Sequence, residues 1–203
     1  MPRSSKEKFA ENHELIEATA SRLFRDRGSR NVSLRDVMTE VGMTQGGFYR
    51  HYASKDALEA AACDYAFRQT AKARAGWISP LTGKRSLDAF VARYLSGTHR
   101  DSPAAGCPIA AISTDVARME PESPLREQFV SGTRDVIAEL AAMPELQHAA
   151  ADDGRRDATA ILCLLAGALV ISRAAAGDPL SDDVLQEAGS FVKTLLAAPG
   201  PRD

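Results

Sequence analysis

The chain has 203 residues, enough for one domain or two small ones, and its 44% of hydrophobic residues suffices for a packed core. The net charge is −2. Residues 1–56 hold ten Lys/Arg and eight Asp/Glu (+2), and the remaining residues hold fifteen Lys/Arg and nineteen Asp/Glu (−4). This distribution fits a mixed solvated surface as well as a DNA-binding head. No apolar run approaches the roughly 18 residues of a membrane span, and the charged start lacks a secretory leader, so we expect a cytoplasmic protein without a membrane partner.

The first two helices are predicted from apolar spacing and cap residues. An apolar stripe over residues 15–24 indicates the first helix, and Gly28 is positioned to end it. Ser33 can cap the second helix, with Asp36 three residues later as its capping-box partner. Gly42 is the expected end of that helix.

Further helices are expected along the rest of the chain. A short third helix over residues 44–52 precedes a longer fourth helix over residues 55–75, which Ser54 can cap. The break "GWISPLTGKRS" places a boundary near the fourth helix, between a domain of residues 10–70 and one of residues 76–198. The remaining helices, over residues 86–100, 107–118, 123–142, 155–176 and 181–197, give an all-α fold of about nine helices.

The last two predicted helices carry apolar stripes at near-heptad spacing, with small residues that permit close helix approach. Two such helices from each of two chains would build an intermolecular four-helix bundle; alternatively, they pack only inside their own chain. Periodicity leaves both arrangements open. The candidate dimerisation residues are Leu164, Leu165, Ala168, Leu169, Ala188, Phe191, Val192 and Leu195.

Residues 33–52 have the pattern of a helix-turn-helix, two short helices joined by a tight glycine turn. In that motif the second helix lies in the major groove of DNA, and its first residues meet base edges. Here those residues are Thr44, Gln45, Gly46 and Gly47, and Gln45 can pair with adenine through two hydrogen bonds. Each glycine costs a helix interior roughly 1 kcal/mol, but the missing side chain lets the backbone approach the duplex closely.

The residues after the glycine pair divide between an inner and an outer face. Phe48 and Tyr52, four residues apart, are expected to anchor the inner face. Lys55 begins the fourth helix, where its ammonium and the free N–H groups can hold phosphate. Each such residue taken alone is more often core or plain surface, so it is the combined pattern that favours DNA. The outward residues are Tyr49, Arg50 and His51.

The stretch "ATASRLFRDRGSRNVSLRDVMTEVGMTQGGFYRHYASKDAL" closely resembles the N-terminal domain of the tetracycline-repressor (TetR) family. The matching segments are "LF…GS…VSLRDV", "VGMTQGGFYRHY" and "SKDAL", and the other two thirds of the chain match only in outline. The resemblance implies a homodimeric transcriptional regulator, usually a repressor, that binds double-stranded palindromic DNA. By motif position it implies base contacts from Thr44, Gln45, Gly46, Gly47 and Arg50, and phosphate contacts from Tyr49, His51, Lys55 and Arg35.

The resemblance also implies a small-molecule effector. In the family, the C-terminal helices enclose a pocket, and ligand binding there tilts the fourth helix, separates the two reading heads and releases DNA. Aromatic residues make up only 6% of the chain, so composition favours no ligand class. The candidate pocket residues, each of which could equally be plain core, are Trp77, Phe90, Tyr94, Cys107, Ile109, Ile112, Met119 and Phe129.

Three widely spaced cysteines predict no disulfide framework, and no metal-ligand spacing or cofactor motif is present in the sequence. Pro108, at the first position of a predicted helix, makes Cys107 the expected N-cap. A helix N-terminus favours the thiolate, so Cys107 could react with electrophiles or oxidants; the alternative is an inert buried cysteine. Cys63 and Cys163 lie on helical stripes and are expected in the core.

Two other functions compete with DNA reading. A helical interaction module would keep the fold without reading DNA, and it predicts gaps among Tyr49, His51 and Lys55, which are all present. A helical enzyme would need a nucleophile–base pair or a metal cluster, and the four histidines show no such spacing to a cysteine or carboxylate. A non-enzymatic DNA-binding regulator is therefore the preferred interpretation.

Overall fold

The computed structural model describes residues 5–78, 86–147 and 151–197, and over these ranges the chain is helical and contains no strand. This confirms the all-α prediction. The helix predicted over residues 86–100 divides at Ser96, whose hydroxyl accepts the N–H of His99, so the described ranges hold ten helices instead of nine. They are α1 (Ser5–Arg27), α2 (Leu34–Glu40), α3 (Gln45–Phe48), α4 (Lys55–Ile78), α5 (Ser86–Tyr94), α6 (Gly97–Arg100), α7 (Pro108–Val116), α8 (Pro124–Ala141), α9 (Ala151–Ala174) and α10 (Leu180–Ala197).

The ends of α1 and α2 follow the local signals in the sequence. Gly28 and Gly42 have φ of 79° and 70°, the left-handed conformation that glycine adopts at low cost after a helix. The N–H of Ser33 donates to Asp36 Oδ2 at 2.8 Å, and the N–H of Asp36 donates to Ser33 Oγ at 3.2 Å. These bonds form the expected capping box. The Ser33 hydroxyl, which donates to Asp36 Oδ2 at 2.7 Å, and then the Ser33 N–H hold the pKa of the Asp36 carboxyl below its usual value.

Helix α3 is shorter than the sequence predicted. It ends at Phe48, and the chain continues as a turn over residues 49–51. In that turn the N–H groups of Arg50 and His51 donate to carbonyl groups three residues back, at 3.3 and 2.8 Å. Bonds to the third residue tighten the last turn of a helix and commonly end it.

The N-terminal helices share one apolar core. Phe48 and Tyr52 are 0% and 8% exposed, which confirms that they form the inner face of the motif. Because Phe48 and Tyr52 are buried against α1 and α2, the start of α3 faces outward. The other buried members of this core are Ile16, Ala20, Leu23, Phe24, Val32, Val37, Met38, Leu58 and Ala62.

The chain forms two compact units, residues 1–70 with 103–132 and residues 71–102 with 133–203. In the first unit, α7 and the turn over residues 103–105 contact α1. There Arg25 Nη1 donates to the carbonyl of Gly106 at 2.8 Å, and the N–H of Ser29 donates to Asp115 Oδ2 at 2.9 Å. Residues 103–132, which the sequence placed in the C-terminal domain, therefore pack with the N-terminal helices.

In the second unit, α9 packs along α10, and α5 also contacts α10. The Ser172 hydroxyl donates to the carbonyl of Ser181 at 2.7 Å and joins the two helices at their connecting end. Residues 152–174 of α9 are apolar and long enough to cross a bilayer by length and composition, a property shared by core helices of helical proteins. The buried seam holds Ala158, Ile161, Leu162, Leu165, Ala168, Leu169, Leu185, Ala188 and Val192.

Gly154, near the start of α9, is a site where we expect a large effect on stability. A Cβ there would overlap the carbonyl oxygen of Leu146, so the backbone must shift to admit it. We expect Gly154→Ala to lower the free energy of unfolding by about 2 kcal/mol, measured by chemical denaturation. Gly167→Ala on the same helix is the control, because a Cβ there meets no atom within 4 Å. Equal destabilisation by both substitutions would contradict the expected overlap.

Candidate nucleic-acid interface

The turn between α2 and α3 positions the residues predicted to read bases. The N–H of Met43 donates to the carbonyl of Met38 at 2.8 Å, and Thr44, with φ −76° and ψ 150°, is the N-cap of α3. Thr44, Gln45 and Gly46 are all exposed. The structure therefore presents the start of the second helix of the motif to solvent, which is the part that enters a major groove in helix-turn-helix proteins.

Nothing in the part of the chain that the structure describes requires glycine at residues 46 and 47. Neither residue has a positive φ. A Cβ at residue 46 would have no atom within 4 Å, and one at residue 47 would make ordinary contacts of 3.7 to 3.9 Å. Because glycine weakens a helix, the pair has no structural explanation within the described residues.

Tyr49 and Arg50 lie beside the glycine pair, in the turn that follows α3. Tyr49 is 64% exposed, and its ring meets the edge of the buried Phe48 ring at a centroid distance of 5.2 Å. Arg50 is exposed, as is Arg35 on α2. The two guanidinium groups and the phenol supply the hydrogen-bond donors that DNA phosphates and base edges accept.

His51 is half-buried, in contrast to the outward position predicted for it. Its ring stacks on Phe9 at a centroid distance of 4.3 Å and lies 5.7 Å from the ring of His13. Its Nδ1 is buried and has no hydrogen-bond partner among the described residues. Burial chiefly, with the neighbouring His13 and Arg50, lowers the pKa of His51, so its imidazole is neutral at pH 7.

The shifted pKa of His51 predicts how DNA affinity depends on pH. A nearby phosphate favours the charged imidazole, so binding DNA raises the pKa that the free protein holds below 6.5. Protons are then taken up on binding, and affinity should rise as pH falls from 7.5 to 5.5. The test is fluorescence anisotropy with a DNA duplex at constant ionic strength. His51→Gln should flatten this dependence, and an identical pH profile in that variant would sink the prediction.

Lys55 is engaged inside the chain. Its Nζ donates to the carbonyl of Ser29 at 2.8 Å and lies 3.3 Å from Glu59 Oε1. Burial raises the pKa of Glu59, and the charge of Lys55 opposes that rise. Two of the three ammonium donors thus have internal partners, which leaves one for a phosphate. The four-residue spacing of Lys55 and Glu59 was visible in the sequence, but the contact with Ser29 was not.

The structure brings the nine predicted DNA-contact residues into one segment, from α2 to the start of α4. Arg35, Thr44, Gln45, Gly46, Tyr49 and Arg50 are exposed, whereas Gly47, His51 and Lys55 are half-buried. Sequence reasoning missed Glu59 and the α1 side chains beneath His51. Phe9 and His13 lie about 40 residues before His51, so no local pattern indicated those contacts, whereas the spacing of Lys55 and Glu59 was local.

The eight candidate pocket residues fall in both compact units, and their grouping into one pocket stays a prediction. On α5, Phe90 and Tyr94 are buried, with ring centroids 5.7 Å apart. Trp77 has a side chain outside the described residues. A cavity of about 10 Å³ in the first unit has room for a single water, and of the predicted set Ile112 lines it. The other predicted residues of the first unit are Cys107 and Ile109, both buried, and Met119 and Phe129, both half-buried.

Cys107 occupies the predicted position as the N-cap of α7, followed by Pro108. It is 7% exposed. Arg25 lies close to Cys107, because its guanidinium donates to the carbonyl of the preceding residue, Gly106. Burial lowers the pKa of Arg25 to about 10, and the electrostatic interaction with Cys107 opposes this decrease. Cys63 is buried as expected, and burial raises the pKa of its thiol to about 12. Cys163 is exposed on α9, so its predicted place in the core was wrong.

Most of the candidate dimerisation residues do not face outward. Leu165, Ala168, Leu169, Ala188 and Val192 are 0 to 7% exposed in the seam between α9 and α10 of one chain, so they cannot supply a surface for a second chain. The strongest apolar stripe of each helix is used within the monomer. Leu164 is half-buried. The exposed apolar face, as we name it, consists of Val170, Ile171, Leu180, Phe191 and Leu195.

The N-terminal segment matches a known family. Residues 16–62 fit the family profile of bacterial regulatory proteins of the tetR family. Over 55 residues the chain is 38% identical to the HTH-type transcriptional regulator YerO of Bacillus subtilis. That match covers 27% of this chain and 19% of YerO, so the chain spans about a fifth of its length. The profile match over residues 16–62 includes α2, α3 and the start of α4.

Solved structures of similar fold extend over nearly the whole chain. NemR of E. coli, in its reduced form, matches with a TM-score of 0.76 at 21% identity over 94% of this chain and 100% of that one. A TetR regulator of Chloroflexus aurantiacus matches with a TM-score of 0.72 at 22% identity, over 92% and 96%. At such identities the likeness shows the fold. The chain thus combines an N-terminal segment that matches the tetR family of bacterial regulatory proteins with a helical fold similar to that of solved TetR regulators.

Proposed function

We propose that the chain is a sequence-specific transcriptional regulator that binds palindromic DNA as a homodimer and is released by a small-molecule effector. The observation that carries the proposal is the bare backbone at Gly46, which is exposed, and Gly47, which is half-buried, beside the exposed Arg50 and Tyr49. Helix-turn-helix domains place such a helix start against base edges. Flanking donors then hold phosphates and fix the orientation of the helix on the duplex.

The experiment that tests DNA reading is selection of bound duplexes from a random pool. We expect a palindrome, because a two-fold dimer presents two identical heads to two half-sites roughly 34–36 Å apart. Gln45→Ala should relax base preference at a single position of each half-site and leave the others unchanged. Recovery of no enriched sequence from the intact protein would favour the helical interaction module instead.

The homodimer is proposed through the exposed apolar face. Phe191 is 61% exposed and Ile171 is 52% exposed, although both belong to helices with long apolar runs. Several large apolar side chains exposed on a pair of packed helices are commonly covered by another chain. A second copy of the chain would cover this surface with its own set of the same residues, as in a two-fold symmetric interface. In this arrangement the buried seam of each monomer stays intact.

The effector is proposed to act on the helices that follow α4, with Cys107 of the first unit as a candidate reactive group. Two observations support Cys107: its place as the N-cap of α7 and the adjacent Arg25 guanidinium. The similar protein NemR was crystallised in a reduced form. The burial of Cys107 limits attack on its thiol to small reagents, or to times when the start of α7 opens.

The response to thiol-reactive compounds provides the test. We expect small quinones or aldehydes to weaken DNA binding of the intact protein, and Cys107→Ser to remove that response while leaving binding without reagent unchanged. Anisotropy with the selected operator measures both. Cys163→Ser is the matched control, because Cys163 is exposed and would react first if accessibility alone decided. A response that follows Cys163, or that persists without Cys107, would eliminate the sensor role.

A further inference from the structure

Four aromatic rings connect the N-terminal part of α1 to the turn after α3. The ring of Phe9 stacks on His51 at 4.3 Å with an interplanar angle of 17°, and the ring of His13 stacks on Tyr52 at 4.7 Å with an angle of 12°. His13 and His51 lie 5.7 Å apart. We refer to Phe9, His51, His13 and Tyr52 as the ring stack. It fixes the start of α1 beside the residues predicted to grip DNA.

Hydrogen bonds hold the inner end of the ring stack. The Tyr52 hydroxyl donates to Glu17 Oε1 at 3.1 Å and lies 3.2 Å from His13 Nε2. Arg68 of α4 lies 3.4 Å from the other carboxylate oxygen of Glu17. Glu17 is 15% exposed, so this polar group is largely protected from water. The stack is therefore anchored at its base and open at Phe9, whose side chain remains 44% exposed.

The spacing of these residues shows which side of α1 faces the recognition turn. Phe9, His13 and Glu17 recur every four residues, so they form one line along the helix. Lys6 precedes Phe9 by three residues and continues that line toward the helix start, whereas Lys8 lies about 100° from Phe9 on the other flank. Lys6 and Lys8 are both exposed.

We propose that Lys6 and Phe9 extend the DNA interface onto α1, with Lys6 bound to a phosphate next to the one held from the recognition turn. The partner is the sugar-phosphate backbone of a duplex, and the inference rests on the proposed function. The exposed part of the Phe9 ring lies beside His51, where the duplex would contact the protein. The ammonium of Lys6 supplies the positive charge that binds the phosphate. Such a contact adds affinity without reading sequence.

The test compares Lys6→Ala with Lys8→Ala, which remove the same charge from the same exposed turn of α1. Lys6→Ala should weaken specific and random duplexes by the same factor, about threefold or more at moderate salt. It should also lower the slope of log affinity against log salt by about 1 for each head. Lys8→Ala should match the unmodified protein within twofold.

Other outcomes overturn the inference in distinguishable ways. Equal affinities and salt slopes for Lys6→Ala, Lys8→Ala and the unmodified chain would overturn it and leave the proposed function standing. An unmodified chain that binds no duplex would overturn both. Phe9→Ala provides a second readout, since it keeps the charge of Lys6 and removes the contact with His51. It should weaken binding with an unchanged salt slope, and unaltered binding would contradict a positioning role for Phe9.

Discussion

Gly47→Val is expected to abolish specific DNA binding while the protein stays folded and dimeric. The added side chain starts from a Cβ that has only ordinary contacts of 3.7 to 3.9 Å inside the chain, so folding does not exclude it. Outside the chain it would stand between the start of α3 and the bases. Affinity for the selected operator should fall to the non-specific level, roughly 10³-fold or more weaker. Anisotropy and thermal unfolding measure the two properties separately.

The control is Gly76→Val on α4, where a Cβ meets no atom of the described residues within 4 Å and no role in DNA reading is proposed. It should leave operator affinity unchanged. Gly46→Ala should give an intermediate loss of affinity together with unchanged or slightly higher stability, since alanine favours a helix over glycine. A Gly47→Val protein with full operator affinity would refute the explanation of the glycine pair as a surface for close approach.

Phe191→Glu is expected to convert the dimer into a monomer. The side chain is 61% exposed in one chain, so the carboxylate is solvated there and the fold is retained. In the proposed dimer the same carboxylate would be buried against the apolar residues of the second copy without a partner. The dimer dissociation constant should rise about 100-fold or more, equivalent to roughly 3 kcal/mol. Sedimentation velocity over a concentration series measures this change.

The matched control is Gln186→Glu, which introduces the same charge at an exposed position on the opposite flank of α10. It should leave the dimer intact. Operator binding should decline with Phe191→Glu only, because a single head contacts one half-site and loses the benefit of linking two. If Phe191→Glu remains dimeric, the interface lies elsewhere on the chain and the exposed apolar face has another role.

The N-terminal helices were predictable because their signals are local. Ser33 and Asp36 are three residues apart and satisfy each other's backbone groups, and Gly28 and Gly42 end helices because of their own backbone freedom. The inner positions of Phe48 and Tyr52 followed from helical spacing. The exposure of the predicted reading surface at Thr44, Gln45 and Gly46 was also predictable, because these residues lie beside the buried Phe48 on a short helix.

The errors share a different cause. For the apolar stripes on α9 and α10 the sequence left open a dimer or packing inside one chain, and Leu165, Leu169 and Val192 are buried within one chain. Periodicity shows that a helix buries a face and does not show what covers it. The exposure of Cys163, together with Val170 and Ile171, was hidden for the same reason, because both faces of α9 are apolar.

The sequence by itself determined that this protein is all-helical, that its first third has the helix-turn-helix pattern and resembles the tetR family, and which residues stand at the start of α3. Cap bonds, helix spacing and glycine conformations depend on neighbours within a few residues, so they can be read along the chain. Only the tertiary structure decided that Lys55 engages Ser29, that His51 stacks on Phe9, and which apolar face of α9 is left open. These outcomes depend on contacts between residues distant in sequence, where burial and charge are set by how helices pack and not by the order of residues.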